Sequence, residues 1–121
     1  MPSESDVLQF CAAVFKSVWA LDLLLTLRKF PELSWHAAEL IKELRCSSGV
    51  VSEALDNLIA AGLVVEDAGG FRYSPADPRL DDMVVAVGEL YAAKPTSVVR
   101  EIMTTPNMKL KLLSDAFRIN K

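Results

Sequence analysis

One histidine, two cysteines and five glycines are few for a chain of 121 residues, and each scarcity closes a route. Cys11 and Cys46 stand far apart and belong to no CxxC pair, so neither a disulfide framework nor a thiolate zinc site has support, and both are read as reduced thiols. His36 has no partner at triad or metal-ligand spacing and is read as a surface or packing residue. No P-loop, dinucleotide fingerprint, HExxH or GxSxG occurs, so the chain is expected to be no enzyme and to need no cofactor. Long apolar runs are missing too. The longest, Val18 to Leu25, is interrupted by Asp22 and falls far short of the roughly 20 residues that span a bilayer. The first residues, Met1 to Asp6, carry acids where a secretory signal carries Lys or Arg. A cytoplasmic protein with no membrane partner is the expectation. Positive charge does not dominate either: the formal charge is −3, and such a field does not draw nucleic acid or an anionic membrane.

What is present is a globular composition, 51% hydrophobic and 24% charged, on a chain long enough for one core. The 3.6-residue spacing of Val7, Phe10, Cys11, Val14, Val18, Leu21 and Leu25 predicts one first helix from Asp6 to Arg28, with Ser5 or Asp6 as its cap. From Val18 to Leu27 nearly every side is apolar, since Trp19, Leu23, Leu24 and Leu27 fill the remaining faces. Such a helix has to be covered by later helices or by a second subunit. Within it Asp22 is expected to bond Thr26, Trp19 or a neighbouring backbone group, with projection into a ligand pocket as the alternative. Pro31 breaks the pattern, Ser34 is a candidate cap, and a short helix ending near Leu44 turns Ala37, Leu40, Ile41 and Leu44 inward. After the turn Arg45-Cys46-Ser47 a third helix runs from Ser48 to Ala61, closed by Gly62. Cys46 in that turn is read as a buried structural thiol.

Two β-prone runs, Leu63 to Asp67 and Phe71 to Tyr73, flank the turn Ala68-Gly69-Gly70 and predict a hairpin. Asp77 or Pro78 opens another helix, with Asp81 and Asp82 suited to its N-terminus. Pro95 opens a further one, and Pro106 a last one holding Met108, Leu112, Leu113, Ala116 and Phe117, with Arg118 and Lys121 at its end. The reading is mostly α with a small β-hairpin wing: residues 1–78 hold the first helix and a winged helix-turn-helix, and residues 79–121 form a C-terminal helical extension of the same single domain.

The stretch from Ala37, Leu40, Ile41 and Leu44 through Ser47-Ser48-Gly49-Val50-Val51-Ser52, Leu55, Leu58 and Gly62-Leu63-Val64 resembles winged-helix transcriptional regulators of MarR-like type, over roughly residues 18 to 73. The tail, with Lys94-Pro95 and Asp115 to Arg118, also looks like small bacterial winged-helix proteins. The resemblance implies that the second helix of the motif lies in the major groove and that its exposed N-terminal residues meet base edges. It implies a homodimer through the terminal helices. Carried onto this chain, the candidate DNA contacts are Ser48, Val50 and Ser52 on that helix, Ser47 at its N-terminus, and Arg45 and Arg72 as phosphate contacts from the turn and the wing.

Charge argues within that reading. Segments 1–33, 34–73, 74–93 and 94–121 carry −1, −3, −3 and +4. The presumed reading module is thus acidic, with Glu53 and Asp56 on its exposed face, whereas the C-terminal tail is basic. Phosphate contacts supply nearly all non-specific DNA affinity, so an alternative reading is a winged-helix protein-interaction module without DNA binding.

Overall fold

The computed structural model describes residues 2–103. It is mostly helical with one small antiparallel hairpin, in the order α1 (Glu4–Val14), α2 (Val18–Lys29), α3 (Ala37–Leu44), α4 (Ser48–Ala60), β1 (Val64–Asp67), β2 (Gly70–Tyr73), α5 (Pro78–Ala93) and α6 (Pro95–Met103). The helix expected from Pro106, with Arg118 and Lys121, lies outside the described residues.

The single first helix expected from Asp6 to Arg28 is instead two helices bent by 109°. Phe15 leaves helical geometry at φ −88° and ψ 119° and buries its ring. Ser17 then caps α2, its hydroxyl accepting from the Ala20 N–H at 3.2 Å. Across the break lies the carboxamide of Asn57, a buried residue of α4. It donates from Nδ2 to the Val14 carbonyl at 2.8 Å and accepts the Lys16 N–H on Oδ1 at 2.9 Å. One side chain thereby satisfies a carbonyl at the end of α1 and an amide in the connection to α2, groups that a broken helix leaves without intrahelical partners.

Two caps also differ from expectation. At α1 the cap is Ser3, whose hydroxyl accepts from the Asp6 N–H at 3.1 Å while the Asp6 carboxylate accepts the Ser3 N–H at 3.3 Å, a reciprocal box in place of Ser5 or Asp6 alone. At α3 the flanking residue is His36 and not Ser34. Its backbone N–H donates to Glu39 at 2.8 Å. The start of α5 agrees with the sequence, with Asp77 accepting from the Arg79 N–H at 2.8 Å and Pro78 in the first turn.

Helix α2 sits at the centre. Ala20, Leu21, Leu23, Leu24 and Leu27 are buried, and each buried leucine contributes about 2 kcal/mol of hydrophobic stabilisation. The cover for α2 comes from the chain's own elements, α3, α4, α6 and the hairpin. Val7 and Cys11 of α1, Val84 and Val87 of α5, and Val98 and Ile102 of α6 join the same cluster as Val51, Leu55 and Leu58 of α4. The helices after the hairpin therefore share one core with those before it. Among the described residues no single helix is long and apolar enough to cross a membrane.

The hairpin pairs Val64 with Tyr73 and closes at Asp67 and Gly70, so Gly70 belongs to the strand and the turn is two residues, not the expected three. Ala68 and Gly69 adopt φ of 52° and 80°, the left-handed pair of a type I′ turn. An unpredicted contact lies on the other side of β2: Trp35 and Phe71 exchange backbone hydrogen bonds at 2.8 and 2.7 Å. Gly70 makes this approach possible, because a Cβ there would strike the Ser34 side chain and stand 3.4 Å from the Trp35 carbonyl.

Candidate functional site

The turn between α3 and α4 is built from the end of one helix and the cap of the next. Arg45 ends α3 at φ 54° and ψ 46°, a left-handed conformation uncommon outside glycine. Its N–H donates to the Ile41 carbonyl, which also accepts the Cys46 N–H at 3.3 Å. Ser47 then caps α4 by accepting the Val50 N–H at 3.3 Å.

From there the helix divides into two sides. Val51, Ala54, Leu55 and Leu58 enter the core, while Ser48, Gly49, Ser52, Glu53 and Asp56 face outward. Of the six residues picked out from the sequence, Arg45, Ser47, Ser48 and Ser52 thus form one exposed stretch around the start of α4. Val50, on the same turn, is half-buried. Arg72 sits apart on β2, opposite Val65, and is also half-buried. Among the described residues no ion pair or side-chain hydrogen bond engages the guanidinium of Arg45 or of Arg72.

The acids of α4 have a distinct setting. Glu53 and Asp56 line a surface cavity of about 480 Å³ with Lys16, Ser17, Asn57 and Ala60. The acidic side of the helix accordingly turns toward the bend between α1 and α2, and Ser48 lies outside that cavity.

His36 is exposed, with Nδ1 3.2 Å from the Gly69 carbonyl, tying the start of α3 to the hairpin turn. Cys46 is half-buried, short of the full burial expected, because it lies in the open turn between two helices. Cys11 is fully buried, and its thiol is pushed up to about 11, first by burial and then by Glu101, which makes it a poor nucleophile. Asp22 departs from expectation: its carboxylate accepts the Tyr91 hydroxyl from α5 at 3.1 Å, and only its backbone carbonyl is bonded to Thr26, at 2.9 Å. Burial raises the Asp22 carboxyl above its usual range, although the Tyr91 bond opposes this.

Two groups went unnoticed in the sequence. Asn57 is one; a lone amide on the inward side of an amphipathic helix was its only signal. The other is Tyr73, whose hydroxyl donates to Asp81 at 2.6 Å while Arg28 approaches the same carboxylate at 3.4 Å, joining β2, α5 and α2. Burial, followed by the Asp81 carboxylate, pushes the Tyr73 phenol well up. Among the described residues no cluster of three His, Cys, Asp or Glu could hold a metal ion. No protein-family model, curated protein or solved structure matches the chain.

Proposed function

We propose that this chain is a small DNA-binding transcriptional regulator built on a winged helix-turn-helix of MarR-like type. The observation that carries the reading is the arrangement of α3, a three-residue turn, α4 and a hairpin whose inner strand is bridged by Trp35. This order matches a wing attached to a two-helix reading unit. In this role α4 lies in the major groove, with Ser48, Ser52 and Val50 toward base edges. Arg45 and the N-terminus of α4 at Ser47 meet one phosphate run, and Arg72 meets another from the wing. A homodimer through the terminal helices sets two such units about one helical turn of DNA apart, roughly 34 Å. The basic segment 94–121 offsets the acidity of the module.

Retention of genomic fragments by the full chain at low salt tests the reading. Binding that weakens steeply with salt supports it; no retention even at low salt overturns it. A specific observation favours a second reading, a winged-helix module that binds protein: Glu53 and Asp56 are exposed on α4 and repel phosphate. Recovery of a stoichiometric basic protein partner, without nucleic acid, would favour this second reading over the first.

A further inference from the structure

Three residues from three elements meet at the base of the hairpin. Tyr73 closes β2, Asp81 lies in the first turn of α5, and Arg28 lies in the last turn of α2. The Tyr73 hydroxyl donates to Asp81 Oδ1 at 2.6 Å, and Arg28 Nε approaches the same oxygen at 3.4 Å. The Arg28 guanidinium also stands 5.9 Å from the centre of the Tyr73 ring, within cation–π range. A hydroxyl bonded to a carboxylate at such a distance makes a charge-assisted bond, stronger than one between neutral groups. Burial, followed by Asp81, keeps the phenol protonated, so it remains a donor.

The neighbour of Tyr73 on β2 is Arg72. Side chains alternate along a strand, so the buried Tyr73 ring and the half-buried Arg72 leave opposite faces of it. Before Arg72, Phe71 is fixed through backbone bonds to Trp35 and so to the approach to α3. After it, Tyr73 is fixed through its side chain to α5 and α2. The arginine assigned to a phosphate from the wing is thus held between an anchor in the reading unit and an anchor outside it. Helix α5 places Val84 and Val87 in one cluster with Val7 and Cys11 of α1 and with Val98 and Ile102 of α6. Asp81 thereby ties the wing to the terminal helices.

We infer that Asp81 is a positioning residue for DNA binding: by holding the Tyr73 hydroxyl it sets where Arg72 stands relative to the terminal helices, through which the proposed dimer forms. The inference rests on the reading of this chain as a DNA-binding regulator and names the contact that aims its wing. Asp81 itself touches no nucleic acid and acts through Tyr73 and Arg72.

The test is a double-mutant cycle read on DNA. Retention of genomic fragments by the full chain is measured over a series of salt concentrations for the wild type, Asp81→Ala, Arg72→Ala and the double variant. Arg72→Ala should lower the salt slope by about one phosphate contact. Asp81→Ala should weaken retention about fivefold, on the scale of coupling between interacting residues, and lower the slope in the same way, with no further effect once Arg72 is gone. Equal losses from Asp81→Ala in the two Arg72 backgrounds overturn the inference, because a merely structural role predicts them. Unchanged retention by Asp81→Ala overturns it as well. Tyr73→Phe keeps the buried ring and removes only the hydroxyl, so it carries the test if Asp81→Ala does not fold. It should show the same coupling to Arg72, and retention equal to wild type overturns the inference. Asp81→Asn, which keeps an acceptor for the hydroxyl, should restore most of the retention. Failure of the DNA reading looks different: no retention by the wild type at low salt overturns that reading and this inference together, whereas retention with additive losses removes only the role of Asp81.

Discussion

Helices α3 and α4 meet the same backbone problem at their C-termini and solve it with different residues. Both end on a left-handed residue that sends amide hydrogens back to the last carbonyls. At α4 it is Gly62, with φ of 77°, followed by Leu63, whose N–H reaches the Leu58 carbonyl at 3.0 Å while both leucine side chains are buried. At α3 it is Arg45, with φ of 54°. Glycine takes this conformation without steric cost, whereas arginine takes it against the clash of its Cβ with the backbone. The difference divides the α3–α4 region into a part chosen for stability and a part that forgoes some. Arg45 is exposed and its guanidinium has no partner among the described residues, so no contact of that side chain within the described residues offsets the strain of its backbone.

The sharpest way to break the stable side of this comparison is Asn57→Ala. Removing the carboxamide leaves the Val14 carbonyl and the Lys16 amide without their partner, at a cost of about 2–4 kcal/mol measurable by urea denaturation. Next is Gly62→Ala, which forces the left-handed conformation on a residue with a Cβ that would stand 3.4 Å from the Ala76 side chain. The expected loss is about 1–2 kcal/mol. Arg45→Gly should act in the opposite direction, raising stability by about 0.5 kcal/mol by relieving strain. In the proposed regulator it should also weaken DNA retention and reduce the steepness of its salt dependence by about one phosphate contact. A variant that gains stability and keeps full DNA affinity would show that Arg45 makes no phosphate contact.

The smallest effect concerns Asp22. Its carboxyl is raised in the folded state, so the folded protein binds a proton more readily than the unfolded chain. Stability from this group is therefore greatest at pH below the ordinary carboxyl value and is lost as pH rises through the raised one. Asp22→Asn should flatten that part of the pH–stability curve while keeping a side-chain acceptor for Tyr91. Chemical denaturation across the acid range would read it.

Periodicity and turn chemistry made α3, α4, the hairpin and the Asp77–Pro78 start of α5 legible, because each is specified by residues within one or two turns of itself. The bend in the first helical stretch was not. Phe15-Lys16-Ser17 contains neither proline nor glycine, and the apolar spacing runs straight through it. The groups that the break exposes are satisfied by Asn57, more than 40 residues further along the chain. The Ser34 cap failed for a related reason: that serine is placed by the approach of Gly70 and the Trp35–Phe71 bridge, which no local pattern announces. For the candidate site, the sequence located the exposed start of α4 around Ser47, Ser48 and Ser52. It did not indicate that Glu53 and Asp56 would turn toward Lys16, which follows from the packing of α4 across α2.

The two hydrogen bonds between Trp35 and Phe71 join the approach to α3 to strand β2. A load on the hairpin is thereby carried through backbone to the residue just before His36, whose own ring meets the Gly69 carbonyl of the hairpin turn. The hairpin and the start of α3 should accordingly open as one unit, the Trp35 and Phe71 amides exchanging with solvent at a common rate, so that whatever grips the hairpin also holds the segment in front of α3.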